Sequence, residues 1–139
     1  MEKQEMNNIQ REAEVKLTKG LIDMIVLQFL RNEPMHGYQI ISKIRRNFGV
    51  YLGPSSVYPM LNGLEKKGYI SSEWITDTER PRKVFKLTAE GQGILKFTEN
   101  TLSLMCSTLS KGHPAPEVEL QTGVIPRQKN RIAPIRARS

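Results

Sequence analysis

The order of periodicities along the chain predicts a mainly helical α+β domain. Three stretches with helical spacing of apolar residues come first. The period then drops to two across a short hairpin, and a long helix with two apolar stripes follows. Three helices and a two-stranded wing describe a winged helix-turn-helix, here with a long C-terminal dimerisation helix appended.

Each element has its own signal. Residues 1–16 look helical but weakly apolar, with Met6, Ile9, Ala13 and Val15, and are read as an N-terminal arm that is either docked or frayed. Thr18 is expected to cap a helix running to about Arg31. Leu21, Ile22, Met24, Ile25, Val26, Leu27, Phe29 and Leu30 make that helix apolar nearly all round, which suits the centre of a core. Pro34 stops it. A second helix, roughly Tyr38 to Asn47, turns Ile40, Ile41, Ile44 and the following Phe48 inward and Lys43, Arg45 and Arg46 outward. The turn from Gly49 to Gly53 leads into a third helix ending near Lys67, with Val57, Leu61 and Leu64 as its buried seam. Tyr69 to Thr76 and Arg82 to Leu87 alternate as strands around a tip at Asp77–Pro81. Ile70 and Trp74 share a strand face, and Trp74 is expected to point into the core. Thr88 opens the last helix, to about Ser110. One stripe there is Leu95, Thr98, Leu102, Met105 and Leu109, and the other is Ile94, Phe97, Thr101 and Leu104. A small domain cannot cover both, so one is read as facing the core and the other a partner helix. The resulting division is an arm at 1–16, a winged helix-turn-helix at 17–87, a dimerisation helix at 88–111 and a basic tail at 112–139. The tail has four prolines and no aromatics and is expected to be disordered or extended when alone.

Composition narrows the class. A chain of 139 residues fits one ordinary domain with a tail. Its longest apolar stretch, Met24 to Leu30, is interrupted by Gln28 and falls far short of the ~20 residues of a membrane span. The polar N-terminus lacks an apolar signal core, and the single cysteine, Cys106, excludes an internal disulfide framework. A cytoplasmic location without membrane contact is expected. Twenty-one basic residues against 14 acidic ones give a net charge of +7. The excess is concentrated between Ile40 and Lys86, where nine basic residues meet four acidic ones. Charge placed that way favours a polyanionic partner.

Three motifs in this stretch resemble a known family. MHGYQI at Met35 to Ile40, GPSSVYPMLNGLEKKGYI at Gly53 to Ile70 and ERPRKVFKLT at Glu79 to Thr88, with the following AEG, are similar to the PadR family of winged-helix transcriptional regulators. The resemblance covers Leu17 to about Leu95, and its specificity lies in the combination. It implies a homodimeric repressor of inverted-repeat operators in double-stranded DNA, joined through the terminal helix and, in many members, released by a small-molecule effector. The chain departs from the family's usual wing pattern at Glu79, which stands where glycine is common. That departure puts an acid beside the wing backbone.

The residues themselves point the same way. With Val57, Leu61 and Leu64 inward, the third helix turns Ser55, Ser56, Pro59 and Asn62 outward, with Tyr58 flanking. Small side chains at a helix start let backbone approach DNA, free amides there suit a phosphate, and an Asn amide matches the adenine edge. The alternative is that Ser55 merely caps the helix and Tyr58 packs at the domain edge. Arg80, Arg82 and Lys83 cluster around Pro81 at the wing tip, where they suit a phosphate or a narrow minor groove. Tyr38 is carried over from the resemblance as a phosphate contact. Leu95, Phe97, Leu102, Met105 and Leu109 are the expected dimerisation residues. Some family members hold planar compounds between tryptophans of the terminal helix. Here that helix has no Trp, so any effector pocket falls to residues such as Phe97, Leu104 and Met105.

An enzyme is not expected. His36 and His113 are far apart, Cys106 is read as a packed hydrophobe, and neither a phosphate loop nor a metal-ligand spacing is present. No cofactor is implied. Two other readings remain: a winged-helix protein-interaction module that ignores DNA, and a small-molecule sensor acting through the dimer interface. Basic residues of the tail, Arg127 and Lys129 among them, add non-specific DNA affinity in one reading and have no role in another.

Overall fold

The computed structural model describes residues 2–111, so the expectations for the tail at 112–139 lie outside the described residues. Helices α1 (Glu2–Gly20) and α2 (Ile22–Asn32) lead to a short strand β1 (Met35–His36). Then come α3 (Gly37–Phe48), α4 (Pro54–Lys66), β2 (Ile70–Ile75), β3 (Arg82–Leu87) and the long α5 (Ala89–Ser110). The sheet is antiparallel in the order β1-β3-β2. This is a winged helix with a long C-terminal helix, as expected.

The third strand is an addition to the expected two. Pro34 bars continuation of α2 and Glu33 turns extended, so the chain enters Met35–His36 already in strand conformation. Met35 then pairs with Phe85, and His36 with Val84. Two residues are too few to alternate, so periodicity could not reveal them.

A second difference concerns Thr18. It is buried within α1, where its hydroxyl donates to the Glu14 carbonyl at 2.8 Å, and it caps nothing. The break comes at Leu21, between α1 and α2. Arg11 of α1 donates to the Gly49 carbonyl at the end of α3, which ties the arm to the head.

The core lies where α2, α3, α4 and the sheet converge. Val26, Ile40, Ile44, Val57, Leu61, Ile70, Phe85 and Leu95 are its fully buried side chains. Gly49 closes α3 in the left-handed region at φ 66°, its amide reaching the Arg45 carbonyl at 2.8 Å. At the head of α5, Thr88 accepts from the Gly91 amide at 3.0 Å and donates to the Gly68 carbonyl at 2.6 Å. One residue thereby caps α5 and fastens it to the turn after α4. Further along, Glu99 of α5 accepts from Gln28 at 2.8 Å and pairs with Arg31 at 3.1 Å, clamping α5 to α2.

Three apolar expectations need correcting. Leu95 has no exposed surface and belongs to the core, so it cannot serve as a dimerisation residue. Trp74 is 62% exposed, because the outer end of β2 extends past the helices that cover Ile70. Cys106 is exposed, because α5 leaves the body of the domain beyond Leu102.

Candidate nucleic-acid interface

Helix α4 presents its polar face outward. Its seam of Val57, Leu61 and Leu64 is buried, which leaves Ser55, Ser56, Pro59 and Asn62 exposed along the opposite side. Gly53 occupies the capping position and Pro54 the first turn, so Ser55 is inside the helix and is not its cap. Fewer amides are open there than a bare helix start offers. Pro54 has none, and the Ser56 and Val57 amides both reach the Gly53 carbonyl at 3.0 Å. Pro59, lying inside α4, gives the Ser55 carbonyl no helical donor, which leaves an acceptor on the same exposed face.

Tyr58 is half-buried. Its ring lies against Gly37 at the start of α3, where a Cβ on that glycine would run into it. Burial, and then the neighbouring Tyr38, push the Tyr58 hydroxyl above its usual pKa, so it stays a neutral donor. Tyr38 is 64% exposed and stands at the rim of an open cleft of about 400 Å³ on α3. His36, Gln39, Ser42, Lys43 and Arg46 share the lining, and the cleft is cationic on balance despite Glu33. Lys43 also lies 5.0 Å from the centre of the Phe29 ring, which anchors its stem against the core. In the turn before α4, Tyr51 stands exposed with Arg45 over its ring at 6.0 Å. Sequence reasoning missed Tyr51, because a single aromatic in a turn carries no periodic signal.

The wing divides its three basic residues. Arg80 and Arg82 are exposed, and among the described residues neither forms an ion pair. Lys83 is half-buried, its ammonium 3.8 Å from Glu65 of α4 and 5.7 Å from the centre of the Phe85 ring. Lys83 therefore braces the wing against α4, while the two arginines remain free for a ligand. Thr78 donates to the Arg80 carbonyl at 2.8 Å, which folds the tip. Burial, and then the charge of Arg82, hold His36 below its usual pKa, so the imidazole is largely neutral near pH 7. The α4 face, the Tyr38 cleft and the wing arginines come from distant segments on one scaffold. Small polar groups flanked by unpaired cations are what a groove and its phosphates require.

Phe97, Met105 and Leu109 of α5 are exposed and Leu102 half-buried. Leu104 joins them at 67% exposure. Among the described residues, no group of three or more His, Cys, Asp or Glu side chains is placed to hold a metal ion, and no helix is long and apolar enough to cross a membrane.

The likenesses to known proteins agree with this geometry. A PadR-family transcriptional regulator from Eggerthella lenta is similar at 29% identity and a TM-score of 0.69, over 78% of this chain and 95% of that one. A transcriptional regulator from Clostridium thermocellum is similar at 26% identity and a TM-score of 0.63, over 71% of this chain and 99% of that one. No curated protein matches the chain. The model of the transcriptional regulator PadR-like family matches residues 26–96, from the middle of α2 into α5. Since that match spans more than half of the sequence and takes in α3, α4 and the whole wing, the chain belongs to the PadR-like family of transcriptional regulators.

Proposed function

We propose that the protein is a homodimeric repressor that binds an inverted-repeat operator in double-stranded DNA and is released by a small-molecule effector. In this reading residues 17–87 form the DNA-binding head and 88–111 the dimerisation helix. The observation that carries it is the shared exposure of the α4 polar face and the unpaired wing arginines. Ser55, Ser56 and Asn62 meet a major-groove half-site, Pro59 lets the backbone approach closely, and Tyr38 and Tyr58 flank the phosphates. Arg80 and Arg82 hold backbone beside the groove, with Lys83 as their brace.

Two bare apolar strips support dimerisation. Phe97, Leu104, Met105 and Leu109 line the outer part of α5. Met6, Ile9, Ala13 and Leu17 recur at helical spacing on α1, all exposed. A dimer joined there sets two α4 helices about one DNA turn apart, roughly 34–36 Å, when both read one face of the duplex. An effector entering near that joint meets Phe97, Leu104 and Met105.

The wing supplies the test. Replacing Arg80 and Arg82 together by alanine is expected to weaken binding to every duplex. It should also flatten the salt dependence by about one logarithmic unit per lost phosphate contact. Anisotropy of a labelled duplex across a salt series measures both. Unchanged affinity and slope would remove the wing from the interface. Absence of duplex binding by the parent protein at low salt would favour a protein-interaction module.

A further inference from the structure

Trp74 is the sole tryptophan of the chain, and it stands in the open. The sheet register explains where it points. Side chains two apart on a strand share a face, and so do directly opposed residues of neighbouring strands. Ile70, Ser72 and Trp74 therefore share one face of β2, and Trp74 lies opposite Lys83. Glu65 of α4 accepts from the Ser72 hydroxyl at 2.6 Å and pairs with Lys83 at 3.8 Å, so this face is the one turned toward α4. Along it Ile70 is buried, Ser72 half-buried and Trp74 exposed. The wing thus carries its indole out of the core on the side of α4, with Lys83 held back by Glu65.

We propose that Trp74 is a duplex contact whose indole lies against a sugar–phosphate edge between the wing and the α4 groove. The proposal rests on the DNA-binding reading and deepens it. Its neighbours choose the occupant. On its own face Trp74 stands opposite Lys83, and that face is turned toward α4, the helix proposed to enter the groove. Arg82, opposite Ile75, belongs to the other face of the sheet. An exposed indole opposite a lysine, on the side of the groove-entering helix, suits a polyanion with an apolar edge, since its ring covers sugar C–H groups and its single N–H can donate to a phosphate oxygen. Such a contact adds affinity without reading a base and without releasing a counterion.

Because the 139-residue chain holds no other indole, its tryptophan emission reports this position alone. The probes are a mixed-sequence 30-base-pair duplex at low salt and genomic fragments that the protein itself enriches. A labelled copy of each is followed by anisotropy in parallel. Bound duplex is expected to quench Trp74 emission and to lower its acrylamide quenching slope about twofold. Trp74→Ala should weaken binding about fivefold or more with an unchanged salt slope, and Trp74→Phe should retain most of the affinity. Duplex binding with unaltered emission, unaltered acrylamide access and full affinity in both variants would overturn the contact while leaving the DNA reading intact. Absence of duplex binding in every channel would overturn both. Emission that responds to polyglutamate and not to bound duplex would assign the indole to an acidic protein partner and also overturn the proposal. Should Trp74→Ala fail to fold, the unmodified protein and Trp74→Phe still decide the matter.

Discussion

Two glycines of α5, two positions apart, separate packing from helix propensity. A Cβ on Gly91 would run into the Tyr69 carbonyl and the Leu87 side chain, whereas one on Gly93 meets nothing within 4 Å. Gly91→Ala is therefore expected to destabilise by about 1–3 kcal/mol through overpacking against backbone that cannot yield. Gly93→Ala should stabilise by roughly 0.5–1 kcal/mol, because alanine loses less backbone freedom in a helix. Urea denaturation at matched protein concentration measures both, and equal signs for the two variants would refute the packing account. At the same scale, Lys83 shows what a motif leaves out. Arg80, Arg82 and Lys83 are equivalent in the sequence, yet Glu65 removes only the lysine from the free set. Glu65 lies 18 residues earlier on a different element, so no local pattern announces the pairing.

Among the elements, β1 was invisible in the sequence and has consequences for pH. It places His36 opposite Val84 on β3, where burial first and the charge of Arg82 second hold the imidazole pKa below the ordinary value of 6.5. Above pH 6.5 the group is largely neutral in folded and unfolded chains, and its contribution to stability is complete. As pH falls below 6.5, the unfolded chain takes up a proton that the folded one resists. Stability then declines until the lowered folded value is passed. The melting temperature should accordingly fall as pH drops below about 6.5, and His36→Gln should flatten that part of the profile. A profile identical in the variant would show that other groups cause the decline. Helix α5 gives the opposite lesson. Its two stripes were legible at 3-4 spacing, and the structure divides them along the helix axis more than around it. Leu95 enters the core near the start, while Leu104, Met105 and Leu109 are exposed toward the end.

For the whole molecule, the proposed dimer would use the bare end of α5 to bring two heads to DNA together. Residues 103–110 continue α5 with every side chain exposed, so the proposed partner helix would bury Leu104, Met105 and Leu109 there. Leu104→Glu with Leu109→Glu is expected to convert the proposed dimer to single chains and weaken operator binding more than tenfold, because the two half-sites are then no longer linked. Light scattering after size exclusion reads the mass, and an unchanged dimer would place the interface elsewhere. The winged-helix order, the α4 seam, the wing hairpin and the basic stretch were all determined by the sequence itself. Each is a local pattern, set by backbone period, turn residues or charge along a short segment. Only the tertiary structure decided that Leu95 is core, that Trp74 and Cys106 are exposed, that Lys83 is braced and that Met35–His36 forms a strand. Those outcomes depend on which distant segment arrives to cover or pair a residue, and burial is a property of the assembled surfaces that no single stretch of chain contains.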